Sequence, residues 1–531
     1  MKLVRSAAII SLCTLLSRVL GLVREIFAAT FIGAGWVMDA FAIAFQVPNL
    51  FRRLFGEGAL SAAVVPVFSE QLEKKDKRSA ARFVNASITM LGLVLGILTI
   101  AGIGISFLLP LMAGDTPESQ RWMDLFSRLL RIMLPYLPLI CIVALVSAVL
   151  NVLKHFAMPA LASTVLNICW IAGFVLAWKM TSDPEQAVII IAWAIIVGGV
   201  LELLLQVPVL MAKGIKYRPV VDFKDEGVRS VLKLMGPTAL GIAVVQINLL
   251  VDSVIAKVCV TGDGAVSALY FGNRLMQFPL ALIGISLATA VFPYLAEHAA
   301  RGKTAEFASE LTRAFNLCLF VALPASVGLV LVAAPIVKLF FQWERFTASA
   351  GARTVSVLVC YSVGVWAYCC LHVVNRAFYA LKDTATPVRV GAMMVGANVT
   401  LNLILVWPLG ESGLALATAV TATANLLILM RILGRRVPEM RFVKVISSAG
   451  RTAIACIGMA FCCILWMMYV APGFDTYFDR TLTKRIAAVV APAAVGAASY
   501  IAFAVVLGTA EMKALIERLR RRKEPARDEG S

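Results

Sequence analysis

Ser17-Arg18-Val19-Leu20-Gly21-Leu22-Val23-Arg24-Glu25 decides the reading of this chain: three charged side chains stand in a stretch otherwise apolar enough to cross a membrane. Met38-Asp39-Ala40-Phe41 and Asn49-Leu50-Phe51-Arg52-Arg53 repeat the pattern shortly afterwards, and Asp252 and Arg274 repeat it much later. Each such charge at mid-bilayer costs at least roughly 2.5–3.5 kcal/mol. A chain with several of them in its first two spans is expected to line a polar cavity with them. A cationic cavity within a membrane suits anionic cargo.

Composition agrees with that beginning. The chain has 531 residues, 60% of them hydrophobic and only 15% charged, with a mean hydropathy of +0.87. Soluble domains are about half apolar and a quarter charged, so an all-α polytopic membrane protein is expected. Apolar windows of about 20 residues give about fourteen transmembrane helices. Their centres fall near Leu20, Phe45, Leu95, Ile142, Ile168, Ile196, Val244, Leu282, Leu323, Tyr368, Val399, Thr421, Ala460 and Val495. The start Met1-Lys2-Leu3-Val4-Arg5 imitates a signal peptide, but Arg18 breaks the apolar run and no cleavage site follows, so the first span is read as uncleaved.

Lysine and arginine assign the sides. Alternate connections carry Lys74-Lys75-Asp76-Lys77-Arg78, then Lys213, Lys216 and Arg218, then Arg301 and Lys303, then Arg431, Arg435, Arg436, Arg441 and Lys444. The opposite connections, such as Gly33-Ala34-Gly35 and Asp115-Thr116-Pro117-Glu118, are short and mostly neutral or acidic. The positive-inside rule places the basic loops and both termini in the cytoplasm. Orientation thus accounts for most of the formal net charge of +18, and no nucleic-acid partner is expected. The tail Glu517-Arg518-Leu519-Arg520-Arg521-Arg522-Lys523 reads as a topology anchor, with contact to anionic lipid as the alternative.

The chain also resembles itself at an offset of about 228 residues. Gly33-Ala34-Gly35 matches Gly262-Asp263-Gly264, Pro66-Val67-Phe68-Ser69-Glu70 matches Pro293-Tyr294-Leu295-Ala296-Glu297, and Leu153-Lys154-His155 matches Leu381-Lys382-Asp383. The offset holds an even number of spans, so the copies enter the membrane in the same direction. Two six-helix lobes in a parallel pseudo-two-fold repeat are expected, residues 1–218 and 219–436, with the binding site between them. Two further helices (437–510) and a basic cytoplasmic tail (511–531) lie outside the repeat.

The charges form a ladder. Arg24 stands about 9 Å beyond Arg18 along a helix and about 120° around it, and Gly21 permits a bend that turns both toward one cavity. Pro48 invites a second kink before Arg52. The arginine fork suits a diphosphate because it donates two parallel hydrogen bonds and keeps its charge when desolvated. Asp39 cannot hold phosphate; it pairs with an arginine before cargo arrives, or closes a gate. The alternative is a set of internal salt bridges, Arg24 or Arg18 with Glu25 and Arg52 or Arg53 with Glu57. Arg53, the weakest of these candidates, is alternatively read as snorkelling to the cytoplasmic surface. A second polar group, Asp252 with Asn398, Asn402 and Thr418, offers oxygen ligands to a sodium ion or simply interhelical hydrogen bonds.

The 11 cysteines form no CxxC pair, the three histidines share no motif, and no Walker loop, HExxH or GxSxG stands in a usable context. Neither ATP-driven transport nor an enzyme activity is expected.

Ser17-Arg18-Val19-Leu20-Gly21 with Arg24, then Gly33-Ala34-Gly35, Asp39-Ala40-Phe41, Pro48-Asn49-Leu50 with Arg52-Arg53, and Glu57-Gly58-Ala59 closely resemble the MurJ/MviN family. These are bacterial lipid II flippases of the multidrug/oligosaccharidyl-lipid/polysaccharide exporter superfamily. Asn273-Arg274-Leu275 with Phe278-Pro279, and Lys382-Asp383-Thr384 with Thr386-Pro387, extend the resemblance into the second lobe. It implies fourteen helices in a bacterial inner membrane and movement of undecaprenyl-diphosphate-linked disaccharide-pentapeptide to the periplasmic leaflet by alternating access. Membrane potential or a cation gradient would drive it. The resemblance implies Arg18, Arg24, Arg52, Arg274 and Asp39 as the essential residues, with Ser17, Asn49, Arg53 and Glu57 of the same motif as weaker candidates. It makes helices thirteen and fourteen a groove for the lipid tail, and Asp252, Asn398, Asn402 and Thr418 a sodium site, though Asn402 stands where a carboxylate is expected. No cofactor beyond sodium is implied. Expected partners are lipid II, membrane lipids and the cell-wall synthesis and division proteins, around a monomer.

Other readings differ in what they require. A multidrug or polysaccharide exporter of the same superfamily does not need this arginine ladder, and the ladder repels cationic drugs. A membrane glycosyltransferase needs a catalytic carboxylate facing outward and a sizeable outer loop. A non-transporting scaffold tolerates charges only as pairs.

Overall fold

The computed structural model describes residues 2–54, 60–74, 76–222, 225–440, 442–469 and 481–523. Glu57 and the end of the basic tail, among the expectations above, lie outside them. The described chain is helical throughout, as a bilayer demands: no water is available there to satisfy backbone groups, so each span must close its own hydrogen bonds.

In chain order the helices are α1 (Lys2–Phe31), α2 (Trp36–Phe51), α3 (Leu60–Lys74), α4 (Lys77–Leu108), α5 (Pro117–Met133), α6 (Tyr136–Val152), α7 (Ala157–Met180), α8 (Pro184–Ala212), α9 (Glu226–Cys259) and α10 (Ala265–Pro279). They continue as α11 (Ser286–Ala300), α12 (Thr304–Leu331), α13 (Ala333–Phe340), α14 (Ala348–Val363), α15 (Val365–Ala380), α16 (Ala385–Leu409), α17 (Glu411–Arg436), α18 (Phe442–Tyr469), α19 (Leu482–Val506) and α20 (Ala510–Lys523). Local chemistry sets many boundaries. Asp76 accepts a hydrogen bond from the Ser79 amide at 2.8 Å, Thr116 from Ser119 at 3.3 Å, and Asp225 from Val228 at 3.0 Å, each capping the helix that follows. Pro117 and Pro184 fill first-turn positions, where an absent N–H costs nothing.

Every one of the fourteen expected centres falls on a helix, yet fewer pass as spans on length and apolarity. Among the described residues ten helices do so, or eleven if α14 and α15, bent by 42° at their junction, count as one. The centres without such a span lie on α1, α2 and α9, the helices that carry the charges of the opening motif and Asp252. Three spans run to 36 residues: Lys77–Met112, which is α4 and the turn after it, Pro117–Val152, which is α5 with α6, and Ala265–Ala300, which is α10 with α11. A protein with this many spans is a multi-pass membrane protein.

The repeat is written into the backbone. Gly33 and Gly262 take φ of 82° and 83°, and Lys154 and Lys382 take φ of 58° and 59°, at an offset near 228 residues. Both lysines close a helix in the left-handed region, with the next amide reaching back five residues, His155 to Leu150 at 2.8 Å and Asp383 to Phe378 at 2.9 Å. A π turn follows a proline in each copy as well, at 52–54 beyond Pro48 and at Leu280–Ile285 beyond Pro279. Proline has no amide to donate, and a locally widened turn absorbs the fault.

By compactness the chain forms two units, Met1–Ser267 with Trp343–Thr347, and Ala268–Gln342 with Ala348–Ser531. This partition differs from the lobes read from the repeat, because it divides the chain within α10. In the first unit α3, α4, α6 and α9 bury a core that includes Phe68, Phe83, Val149 and Val228. In the second, α12, α18 and α19 meet around Phe320, Met459, Cys463 and Tyr500, whose hydroxyl donates to the Phe320 carbonyl at 2.6 Å.

Candidate functional site

In the first unit the charged motif resolves into distinct roles. α1 runs through Gly21 as one helix, and a Cβ at Gly21 would meet nothing within 4 Å. Arg18 and Arg24 stand in different surroundings on it. Arg18 is exposed. Arg24 is 14% exposed and tightly held: Nη2 donates to Glu25 at 2.5 Å, Nη1 donates to Asn167 Oδ1 at 3.0 Å, and the guanidinium lies 4.3 Å from the Trp170 ring centroid. Asn167 is itself oriented, since its amide donates to the Ser17 carbonyl at 3.2 Å and to the Ser163 carbonyl at 2.9 Å. Ser17 donates to Ser163 Oγ at 3.3 Å. Trp170 is buried edge-on against Phe45 of α2 at 4.8 Å. The ion-pair alternative therefore holds for Arg24 and Glu25, but it accounts for only one of the guanidinium's contacts.

Arg52 stands at the end of α2 in the π turn and donates from Nε to Asn49 Oδ1 at 2.9 Å. Arg53 reaches α9 instead, donating to Gln246 Oε1 at 3.3 Å. Nearby, Gln46 donates to Ser253 Oγ at 2.8 Å, so α2 and α9 are joined by polar contacts along their length.

Asp39 is 1% exposed and pairs with no arginine among the described residues. It accepts hydrogen bonds from the amides of Gly264 and Ser267, both at 2.8 Å, and from the Ser267 hydroxyl at 2.5 Å. Those amides belong to the first turn of α10, where donors have no intrahelical acceptor. Asp39 is thus an N-cap supplied by another helix, and its charge faces the positive end of the α10 dipole. Asp39 of the first copy thus bonds to the start of α10, the helix that follows the matching glycine turn of the second.

Glu202 and Gln206, one turn apart on α8, are 2% and 0% exposed. Tyr136 donates to Glu202 at 3.5 Å and Ser147 donates to Gln206 at 3.1 Å. The sequence reading passed over Glu202, although a lone acid in Val200-Leu201-Glu202-Leu203-Leu204 carries the same signal as Asp252. Asn167 and Trp170 left no comparable signal, because an amide and an indole in an apolar helix are ordinary.

Asp252 also belongs to the first unit, is 4% exposed, and accepts a hydrogen bond from Asn248 at 3.5 Å. Asn398, Asn402 and Thr418 belong to the second unit. There Thr418 and Thr421 donate their hydroxyls to helix carbonyls, and Asn398 donates to their oxygens at 3.4 and 3.3 Å. Asn402 donates to the Asn398 oxygen at 3.0 Å. These bonds tie α16 to α17 as an interhelical network. Among the described residues no three His, Cys, Asp or Glu side chains converge to hold a metal ion.

Arg274, in the second unit, is half-buried, with its guanidinium 4.9 Å from the Tyr270 ring centroid and Nη2 donating to Tyr270 Oη at 3.4 Å. The same unit contains an apolar cavity of about 430 Å³ among α12, α18 and α19, whose lining includes Phe278, Pro279 and Tyr500. Gly328 and Gly496 open its walls. Elsewhere in the unit, Arg353 and Glu411 form a fork pair at 2.6 and 3.1 Å.

Known proteins agree on what this architecture is. The family model for the lipid II flippase MurJ matches residues 28–483. A probable lipid II flippase MurJ of Vibrio cholerae is 34% identical over 517 residues, covering 96% of each chain. The lipid II flippase MurJ of Burkholderia cenocepacia is 34% identical over 441 residues, covering 82% of this chain and 84% of its own. Among solved structures, a lipid II flippase MurJ in an inward closed conformation aligns with TM-score 0.76 and 25% identity, over 94% of this chain and 98% of that one. An inward-facing MATE family multidrug transporter aligns with TM-score 0.69 and 16% identity over 80% of this chain, a likeness of fold alone. With a family match spanning most of its length and relatives a third identical from end to end, the chain belongs to the MurJ family of lipid II flippases, transporters rather than enzymes.

Proposed function

We propose that this chain moves lipid II, the undecaprenyl-diphosphate-linked disaccharide-pentapeptide, from the cytoplasmic to the periplasmic leaflet of a bacterial inner membrane, with both termini in the cytoplasm. The observation that carries the reading is the Arg24 assembly: a guanidinium inside a membrane protein, aimed by Asn167, Glu25 and Trp170 rather than spent on a single carboxylate. Held this way, it meets a diphosphate at little further ordering cost, since its rotamer is already fixed. Arg52, Arg18 and Arg274 are the other anion ligands, with Ser17, Asn49 and Arg53 as their supports. Asp39 serves as the tie between α2 and α10 that must release for the transport cycle to proceed.

The apolar cavity among α12, α18 and α19 takes the polyprenyl tail, since it offers hydrocarbon walls and little else. Alternating access between repeat-related lobes completes the cycle. Inside-negative potential favours outward movement of the anionic head, at about 2.3 kcal/mol per charge per 100 mV. Sodium coupling through Asp252, Asn398, Asn402 and Thr418 requires the hydrogen bonds around Asn398 to reorganise. Unchanged transport on replacing sodium, together with a silent Asp252→Ala, would remove it.

The test is delivery of lipid II to the outer leaflet in cells depleted of their own flippase. Arg24→Ala, Arg52→Ala and Arg274→Ala are expected to reach normal abundance and fail to restore it. Rescue by all three would sink the reading. An exporter of cationic drugs would instead gain from losing these charges.

A further inference from the structure

Arg376 is a cation within a span for which the transport reading has no task. It stands on α15, which together with α14 makes the bent span of the second unit. Tyr368, His372, Asn375, Arg376 and Tyr379 fall within an arc of about 100° around that helix. The opposite side, which includes Cys370, Val373, Ala377 and Phe378, is buried. The polar arc is only partly covered. One face of α15 is therefore packed and the other is polar and charged, and such a face borders water because hydrocarbon penalises it.

The Arg376 guanidinium lies 5.3 Å from the ring centroid of Phe292 on α11. Among the described residues no carboxylate pairs with it. The acids at the nearby helix ends are already engaged, Asp383 with Arg436 and Glu297 with Arg301. His372 stands one turn further into the span on the same face, about 5–6 Å away between Cβ atoms. An arginine near the end of a span can simply snorkel to the surface. Arg376 turns across to α11 instead, and snorkelling gives no reason for a histidine one turn deeper.

We propose that Arg376, with His372 beside it, binds a carboxylate of the peptide that lipid II carries. The cargo has two kinds of anion, its diphosphate and its peptide carboxylates, and the diphosphate is assigned above to Arg18, Arg24, Arg52 and Arg274. A single guanidinium fork matches one planar carboxylate in charge and shape, donating two parallel hydrogen bonds. The His372 imidazole adds a donor from one turn deeper. Phe292 steadies the guanidinium before the ligand arrives. The subsite favours cargo that carries its peptide over a lipid-linked sugar without one. The inference rests on the lipid II reading made above.

The experiment measures binding to the full chain in detergent with three probes. They are lipid II with a shortened polyprenyl chain, the same lipid with its peptide carboxylates amidated, and the same diphosphate-linked disaccharide with no peptide. The native chain is expected to bind the free-carboxylate lipid about tenfold or more tighter than the amidated one. In Arg376→Gln the two are expected to bind alike, with binding of the peptide-free lipid as in the native chain, which also shows that the variant is folded. Arg376→Lys is expected to keep a reduced preference, because an ammonium lacks the fork. Equal binding of free and amidated lipid by the native chain overturns the proposal, as does an undiminished preference in either variant. If Arg376→Gln weakens the peptide-free lipid as much as the complete one, the site takes phosphate and the proposal fails. If the native chain binds none of the three, the lipid II reading falls, and this inference with it.

Discussion

At the scale of the residue, the contrast between Arg24 and Arg18 is the most informative. Eight positions on α1 carry Arg18, Arg24 and Glu25, yet of the two arginines only Arg24 is drawn inward, where Asn167 and Trp170 of α7 stand opposite it. Asn167→Ala removes one charge-assisted hydrogen bond, worth about 1.5–3 kcal/mol. Flipping should fall by about tenfold or more, with melting little changed, measured by outer-leaflet lipid II in reconstituted vesicles. Arg24→Lys should restore only part of the activity, because an ammonium cannot reproduce the fork. Asp39 makes the opposite case. Its removal in Asp39→Ala leaves buried amides at Gly264 and Ser267 without an acceptor, so the melting temperature in detergent should drop by an amount matching about 1–3 kcal/mol. Asp39→Asn, which retains an acceptor, should lose less. That charges were present was legible in the sequence because the bilayer penalises them; which of them have partners was not, because the partners are common residues over a hundred positions away.

At the scale of the element, small residues decide how closely helices approach. A Cβ on Gly199 of α8 would lie 2.7 Å from the Tyr136 ring. Gly199→Ala should therefore destabilise by about 1–3 kcal/mol and displace Tyr136 from Glu202, read as a lower melting temperature. The turn between α15 and α16 shows how a loop is fixed. Burial alone would raise the Asp383 carboxyl, but hydrogen bonds from Thr386 and Arg436 outweigh it and bring it down to about 2. With the folded value below the unfolded one, the stabilisation is complete above the unfolded value of about 3.9 and fades only as pH falls toward 2. Asp383→Asn should thus cost the same stability at about pH 5 as at about pH 8, and a cost that shrinks by pH 5 would refute this assignment. The repeat announced these turns, since Lys154 and Lys382 share their left-handed backbone. The π turns after Pro48 and Pro279 were not foreseen in kind, only as kinks, because a missing amide can be absorbed in several ways.

At the scale of the whole molecule, the basic loops make a prediction about orientation. Reporter fusions after the loop near Lys77, after the loop near Arg301 and at the carboxyl end should all score as cytoplasmic, and fusions near Gly114 and Gly262 as periplasmic. A single reversal among the basic loops would undo the assignment. The compact units dividing within α10 show that packing and ancestry need not partition a chain alike. A repeat records what was duplicated, whereas compactness records which surfaces now touch.

Sequence by itself determined that the chain is helical and crosses a membrane many times, that it contains a repeat, and that its early spans hold charges costly enough to need a purpose. Hydropathy, periodicity and the price of a buried ion act within a single stretch of chain and need no knowledge of what lies across from it. Tertiary structure decided the rest: that Arg24 is cradled while Arg18 is exposed, that Asp39 caps α10 rather than pairing with an arginine, that Asn398 bonds to Thr418 and Thr421 across two helices, and that Glu202 stands buried beside Tyr136. Each of those outcomes depends on which distant side chain arrives opposite, and that is fixed only when the helices pack.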